Sequence, residues 1–115
     1  MMDEQQFMSA ASRQMAAIEN VLDGIAESDD APFDIELKPG GVIELEFDDG
    51  SAIIINQHVA AREIWLATKS GGMHFRLDGE RWIGTRDGEE LMVALARTIS
   101  LQAGRAMSLG RLKNE

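Results

Sequence analysis

Cysteine is absent from the chain. That removes disulfides, thiolate nucleophiles and thiolate ligands for zinc or a cluster. Histidine occurs twice, as His58 and His74, so any bound metal must rest mainly on oxygen donors. No apolar run approaches the roughly 18 residues that a membrane-spanning helix needs. The amino terminus, MMDEQQFMSAAS, is acidic and lacks the basic and apolar regions of a signal or transit peptide. A soluble cytoplasmic protein is the expectation. Catalytic motifs are missing too. Ser70 is not in a Gly-x-Ser-x-Gly elbow, Lys69-Ser70 lacks the glycines of a phosphate loop, and no DxDxDG calcium loop occurs. These absences argue against an enzyme.

Basic residues are scarce in the first part of the chain. Residues 1–49 carry 13 of the 20 acids but only two of the 11 bases, Arg13 and Lys38. The net charge of −9 therefore belongs to that part. Such a surface repels nucleic acid and attracts cations or basic protein patches.

At 115 residues with 44% hydrophobic content, the chain is sized for one domain, 1–115, with a single core. Helix one is predicted over residues 4–25. Met8, Ala11, Met15, Ile18, Leu22 and Ile25 recur at spacings of three and four and form its apolar stripe. Glu19 and Asp23 lie one turn apart on its flank, where like charges repel unless a cation or basic partner intervenes. The connection AESDDAP adds Glu27, Asp29 and Asp30.

About six strands then span residues 34–86, alternating in period two. Ile35, Leu37, Ile43, Leu45, Phe47, Ile64, Leu66, Met73, Phe75 and Leu77 are expected inward. Asp34, Glu36, Glu44, Glu46, Trp65, His74 and Arg76 are expected outward, and Ile53-Ile54-Ile55 is apolar on both faces. Gly40-Gly41, Asp49-Gly50, Gly71-Gly72, Asp78-Gly79 and Asp87-Gly88 supply turn residues. A loop at Asp78-Gly79 is expected to set Trp82 across from Phe75, in the core. Helix two, residues 89–104, carries the stripe Leu91, Met92, Leu95, Ile99 and Ala103, and Gly104 ends it. Two terminal helices with one stripe each bury themselves on one sheet face, giving an α+β two-layer sandwich whose other face stays solvated.

Read from spacing alone, the acids Glu19, Asp23, Glu27, Asp29, Asp30, Asp34 and Glu36 are either a solvated face or a ridge of hard oxygen donors. Such a ridge would bind Fe²⁺, Fe³⁺ or other divalent cations weakly. Trp65 on a solvated face either covers cross-strand neighbours or anchors a protein partner. His74 reads as an exposed histidine, with accessory metal ligand as its alternative, and nothing is assigned to His58.

The run IWLATKSGGMHF, with DGSAIIIN before it and WIGTRDGEEL after it, resembles the signature of the frataxin family in its bacterial CyaY branch. The likeness extends in register over nearly the whole chain and is densest from Leu45 to Gly104. It implies the fold just read. It also implies a non-enzymatic, iron-binding protein of the bacterial cytoplasm that regulates iron–sulfur cluster assembly or donates iron to it. Its partners would be the cysteine desulfurase and the cluster scaffold, with no nucleic acid and no membrane, and it would act as a monomer or as oligomers formed with iron. By the same resemblance, Glu19, Asp23, Glu27, Asp29, Asp30, Asp34 and Glu36 form the iron-binding ridge. Trp65, Glu19, Asp23 and Asn56 meet the partner. The chain departs from the family pattern in four places, one of them a connection to strand one about two residues longer than in close relatives. Asn20 follows Glu19 and Gly24 follows Asp23 where the family often pairs acids. The segment Asn56-Gln57-His58-Val59-Ala60-Ala61 also lacks the usual basic residue and proline. The competing expectation is an acidic interaction module that occupies a basic surface without physiological metal; a cofactorless enzyme on the open sheet face ranks third.

Overall fold

The computed structural model describes residues 3–107 and 109. Helix α1 runs Glu4–Ala26. It starts where Asp3 and Gln6 exchange bonds: Gln6 N–H donates to Asp3 Oδ1 at 2.8 Å, and Asp3 N–H donates to Gln6 Oε1 at 3.0 Å. This reciprocal cap satisfies two backbone donors that the first turn would leave unpaired.

Six strands follow in an uninterrupted antiparallel meander: β1 Phe33–Lys38, β2 Val42–Phe47, β3 Ala52–His58, β4 Glu63–Thr68, β5 Gly71–Asp78 and β6 Arg81–Gly84. Helix α2, Leu91–Ala103, closes the fold. Its N-cap is Glu90, whose carboxylate accepts from Val93 N–H at 3.3 Å, so α2 begins two residues later than its acids suggest. Gly104 ends it in the left-handed region at φ +74°, which a residue with a Cβ adopts only under strain.

One face of the sheet supplies the core. Ile43, Leu45, Phe47, Ile53, Ile55, Ile64, Leu66, Phe75 and Trp82 are buried there, with Phe7, Ile18 and Leu22 of α1 and Leu91, Leu95 and Ile99 of α2. Phe7 meets Trp82 edge to face at 6.0 Å, tying the start of α1 to β6. Ile54, between two buried isoleucines, points to the opposite face.

Several expectations need correction. The stripe of α1 runs through Phe7 and Ala10, while Met8 is 41% exposed. Phe7 lies four residues before Ala11 and so continues the buried row Ala11, Met15, Ile18 and Leu22 onto the sheet. Leu37 is 51% exposed because it lies near the free end of an edge strand. Trp82 is buried, but it pairs with Leu77 and not with Phe75. The turn occupies Gly79 and Glu80, with Asp78 opposite Arg81, which moves the register by two and preserves the facing. Gly71 and Gly72 belong to β5, and the chain reverses at Lys69-Ser70.

Candidate functional site

The sheet face away from the helices carries three neighbouring territories. The first is acidic. The β1–β2 pairing sets Asp34 opposite Glu46 and Glu36 opposite Glu44, and all four line one shallow groove with Lys38. Lys38 Nζ lies 2.5 Å from Glu44, and that bond raises the lysine above its ordinary range. One cation thus faces four carboxylates. Glu44 and Glu46 were not among the residues expected in the ridge. Their hairpin partners are legible from the Pro39-Gly40-Gly41 turn, which fixes the register between the two strands.

The remaining ridge residues lie on α1 and beyond it. Glu19 and Asp23 are half-buried on the helix flank, Glu27 is its exposed C-cap, and Asp29 and Asp30 are exposed in the following turn. Asp30 is already engaged: the Arg105 guanidinium donates to its carboxylate at 3.2 Å and to its carbonyl. Among the described residues, no three His, Cys, Asp or Glu side chains converge closely enough to hold one metal ion. The donor set suits hydrated cations held by one or two carboxylates at a time and offers no preset cage.

The second territory is aromatic and was largely missed from sequence. Trp65 points outward as expected, yet it is only half-exposed because imidazoles cover both faces of its ring. His58 stacks on one side at 3.9 Å and 13°, and His74 on the other at 4.3 Å and 8°. Strand register brings this about, since β4 places Trp65 between Asn56 of β3 and His74 of β5. Asn56 is half-buried beside it. His58 Nδ1 accepts from Ala61 N–H at 3.2 Å, which anchors that ring to the β3–β4 turn. The turn itself puts Arg62 in the left-handed region at φ +57°, with its guanidinium donating to Val59 O at 2.8 Å.

Beneath the stack sits Glu63, 5% exposed. The Trp65 indole Nε1–H donates to its Oε1 at 2.7 Å, and Arg76 Nε–H donates to its Oε2 at 2.8 Å. His74 Nδ1 lies 3.4 Å from Oε1. Burial alone pushes this carboxyl up, but the bonds from Trp65 and Arg76 and the neighbouring positive charge outweigh it, and the net shift is downward. Glu63 is therefore held ionised. Sequence carried a signal for it: a carboxylate two residues from Trp65 on a strand shares its face. The third territory, along β5 and β6, places Arg76 and Arg81 on the same face.

A frataxin-like domain model matches residues 1–105. The chain belongs to the frataxin family. It is 48% identical to the iron–sulfur cluster assembly protein CyaY of Dechloromonas aromatica, over 94% of this chain and 99% of that one. It is 44% identical to the CyaY of Cupriavidus pinatubonensis, over 95% and 97%. Among solved structures, the frataxin of Psychromonas ingrahamii superposes with a TM-score of 0.80 at 25% identity, covering 94% of this chain and 98% of that one. Trimeric frataxin from Saccharomyces cerevisiae, complexed with ferrous iron, superposes at 0.72 with 26% identity, covering 84% and 87%. The frataxin fold is thus common to this chain and those proteins, as its six strands and two terminal helices require. Among the described residues, no helix is long and apolar enough to cross a membrane.

Proposed function

We infer that this protein serves iron–sulfur cluster assembly in the bacterial cytoplasm as a non-enzymatic, iron-binding regulator of, or iron donor to, the cysteine desulfurase and its scaffold. The observation that carries this reading is family membership over nearly the full chain, with relatives at this identity named as cluster assembly proteins. The residues support it physically. The carboxylates of α1, the following turn and β1 are hard donors open to solvent, suited to iron as a loosely held cargo. Glu19, Asp23, Glu27, Asp29, Asp30, Asp34 and Glu36 are its proposed ligands. The partner-facing surface would join Glu19 and Asp23 to Trp65 and Asn56. Acidic charge there complements a basic partner and speeds encounter, while the half-buried indole supplies contact area.

Two observations favour a second reading. The ridge acids do not converge on a point, and Asp30 is already paired with Arg105. A module that docks by charge and ignores iron would need no more. A reconstituted cluster-assembly reaction, run with and without this protein across a range of iron concentrations, separates the two. Regulation by an iron-binding protein predicts an effect on assembly rate that changes with iron. A constant effect at all iron concentrations supports the charge-only module, and no effect contradicts both.

A further inference from the structure

We propose that Glu63 is the positioning residue of the Trp65 docking anchor, presetting an indole that meets its partner edge-on between two imidazoles. This rests on the docking reading above and names the residue that makes that surface work. Three constraints meet on one ring. Its in-plane N–H is bound at 2.7 Å to a carboxylate, and its two faces lie against His58 and His74 at 3.9 and 4.3 Å. A tryptophan on an open sheet face normally has rotamers to lose on binding, and ordering it opposes association. Here that ordering is already complete in the free protein.

Glu63 can hold the ring because it is itself held. Arg76 Nε–H occupies Oε2 at 2.8 Å, His74 lies 3.4 Å from Oε1, and only 5% of the residue reaches solvent. Among the described residues, no buried side-chain nitrogen or oxygen lacks a hydrogen-bond partner. Both carboxylate oxygens of Glu63 are thus engaged, which fixes the buried carboxylate although Arg76 and His74 themselves reach solvent. A buried carboxylate cannot form the contact area of an interface, so Glu63 acts on a partner only through Trp65 and its flanking rings. A staple that merely joins β4 to β5 would stabilise the sheet and leave docking untouched.

The test compares the parent with Glu63→Ala, Glu63→Gln, Trp65→Ala and the Glu63→Ala/Trp65→Ala double variant. The first readout is the Trp65 indole N–H resonance of the free protein. It should be protected from solvent exchange in the parent, lose that protection in Glu63→Ala, and keep most of it in Glu63→Gln, whose amide oxygen can still accept. The second readout is titration against a purified bacterial cysteine desulfurase. Glu63→Ala should weaken docking about tenfold, the scale of a hot-spot truncation, and Glu63→Gln by less. On the Trp65→Ala background, Glu63→Ala should cost nothing further, because the ring it positions is gone.

Docking by Glu63→Ala at parental strength, with indole protection lost, overturns the proposal. So does an equal loss from Glu63→Ala with and without Trp65. Parental docking by Trp65→Ala instead sinks the docking reading, and the indole resonance still decides whether Glu63 holds the ring. If Glu63→Ala does not fold, Glu63→Gln carries the comparison: any loss of indole protection should bring a matching loss of docking, and protection lost with docking at parental strength overturns the proposal.

Discussion

At the scale of single residues, the two tryptophans carry most of the contrast in this molecule. Trp82 is 2% exposed and packs against Phe7, so Trp82→Ala should lower stability by about 3–5 kcal/mol in denaturant melts. Alternation places Trp65 on the outer face, where loss of an accessible ring would leave stability nearly unchanged. The structure changes that expectation. Removing it strips a donor from buried Glu63 and a stacking partner from two histidines, so Trp65→Ala should cost about 1–3 kcal/mol. Equal losses at the two positions would contradict this assignment. Alternation could give the direction of Trp65 but not its cover, because cover depends on which residues the neighbouring strands bring alongside.

Two carboxylates add a pH dependence of known sign. Asp49 is held down to about 2, chiefly by the Ser51 hydroxyl and then by its backbone N–H, with Lys69 adding to them. Glu63 is held below its ordinary range by the bonds from Trp65 and Arg76, against the opposing effect of burial. For groups depressed in the folded state, the stabilisation is present above the ordinary carboxyl range near pH 4 and is lost as pH falls through the folded values. Carboxyl carbon NMR should therefore show Asp49 still titrating at about pH 2. A midpoint near 4 would mean that the Ser51 bonds do not persist in solution.

At the scale of elements, periodicity located both helices and the strand order, because each element buries one face and its spacing says so. Phase and register were less legible. Met8 and Phe7 lie three and four residues before Ala11, so helical spacing admits either, and only packing against the sheet shows that Phe7 is the buried one. Leu37 alternates correctly and stays exposed, since alternation says nothing about how far the helices extend over an edge strand. The acidic territory was half read for a related reason. Asp34 and Glu36 were visible as a strand pattern, but their partners Glu46 and Glu44 emerge only with the β1–β2 register. That pairing makes a prediction for metal binding. Paramagnetic broadening by Mn²⁺ or Fe²⁺ should fade amides of late α1, the Glu27–Asp30 turn and both β1 and β2 before any others. Broadening centred on His58 or His74 would move the metal site to the aromatic territory.

At the scale of the whole molecule, charge is the organising quantity. Thirteen of the 20 acids fall within residues 1–49, and folding sets Glu19 and Asp23 on one helix flank and Asp34, Glu36, Glu44 and Glu46 on one sheet edge. Self-repulsion there should lower stability at low ionic strength, and monovalent salt should restore part of it as the Debye length falls from about 30 Å at 0.01 M to about 10 Å at 0.1 M. A cation that prefers the folded chain stabilises it by about 2.7 kcal/mol at a hundredfold excess over Kd. The two effects should be less than additive, since both relieve the same repulsion. Replacing Glu19 with Gln and Asp23 with Asn should raise the metal-free melting temperature and shrink the gain from Fe²⁺. A double variant that melts lower without metal, or gains as much from iron as the parent, would make these carboxylates structural.

On the proposed reading, the acidic flank and the Trp65 face form one surface that meets the assembly machinery. The most direct measurement is an amide chemical-shift map of this protein titrated with a bacterial cysteine desulfurase. Perturbations are expected on the Glu19–Asp23 flank of α1, along β1, and at Asn56, Trp65 and His74, with the exposed side of α2 around Val93 and Leu101 unchanged. Perturbations confined to that side of α2, or none at all, would contradict that reading.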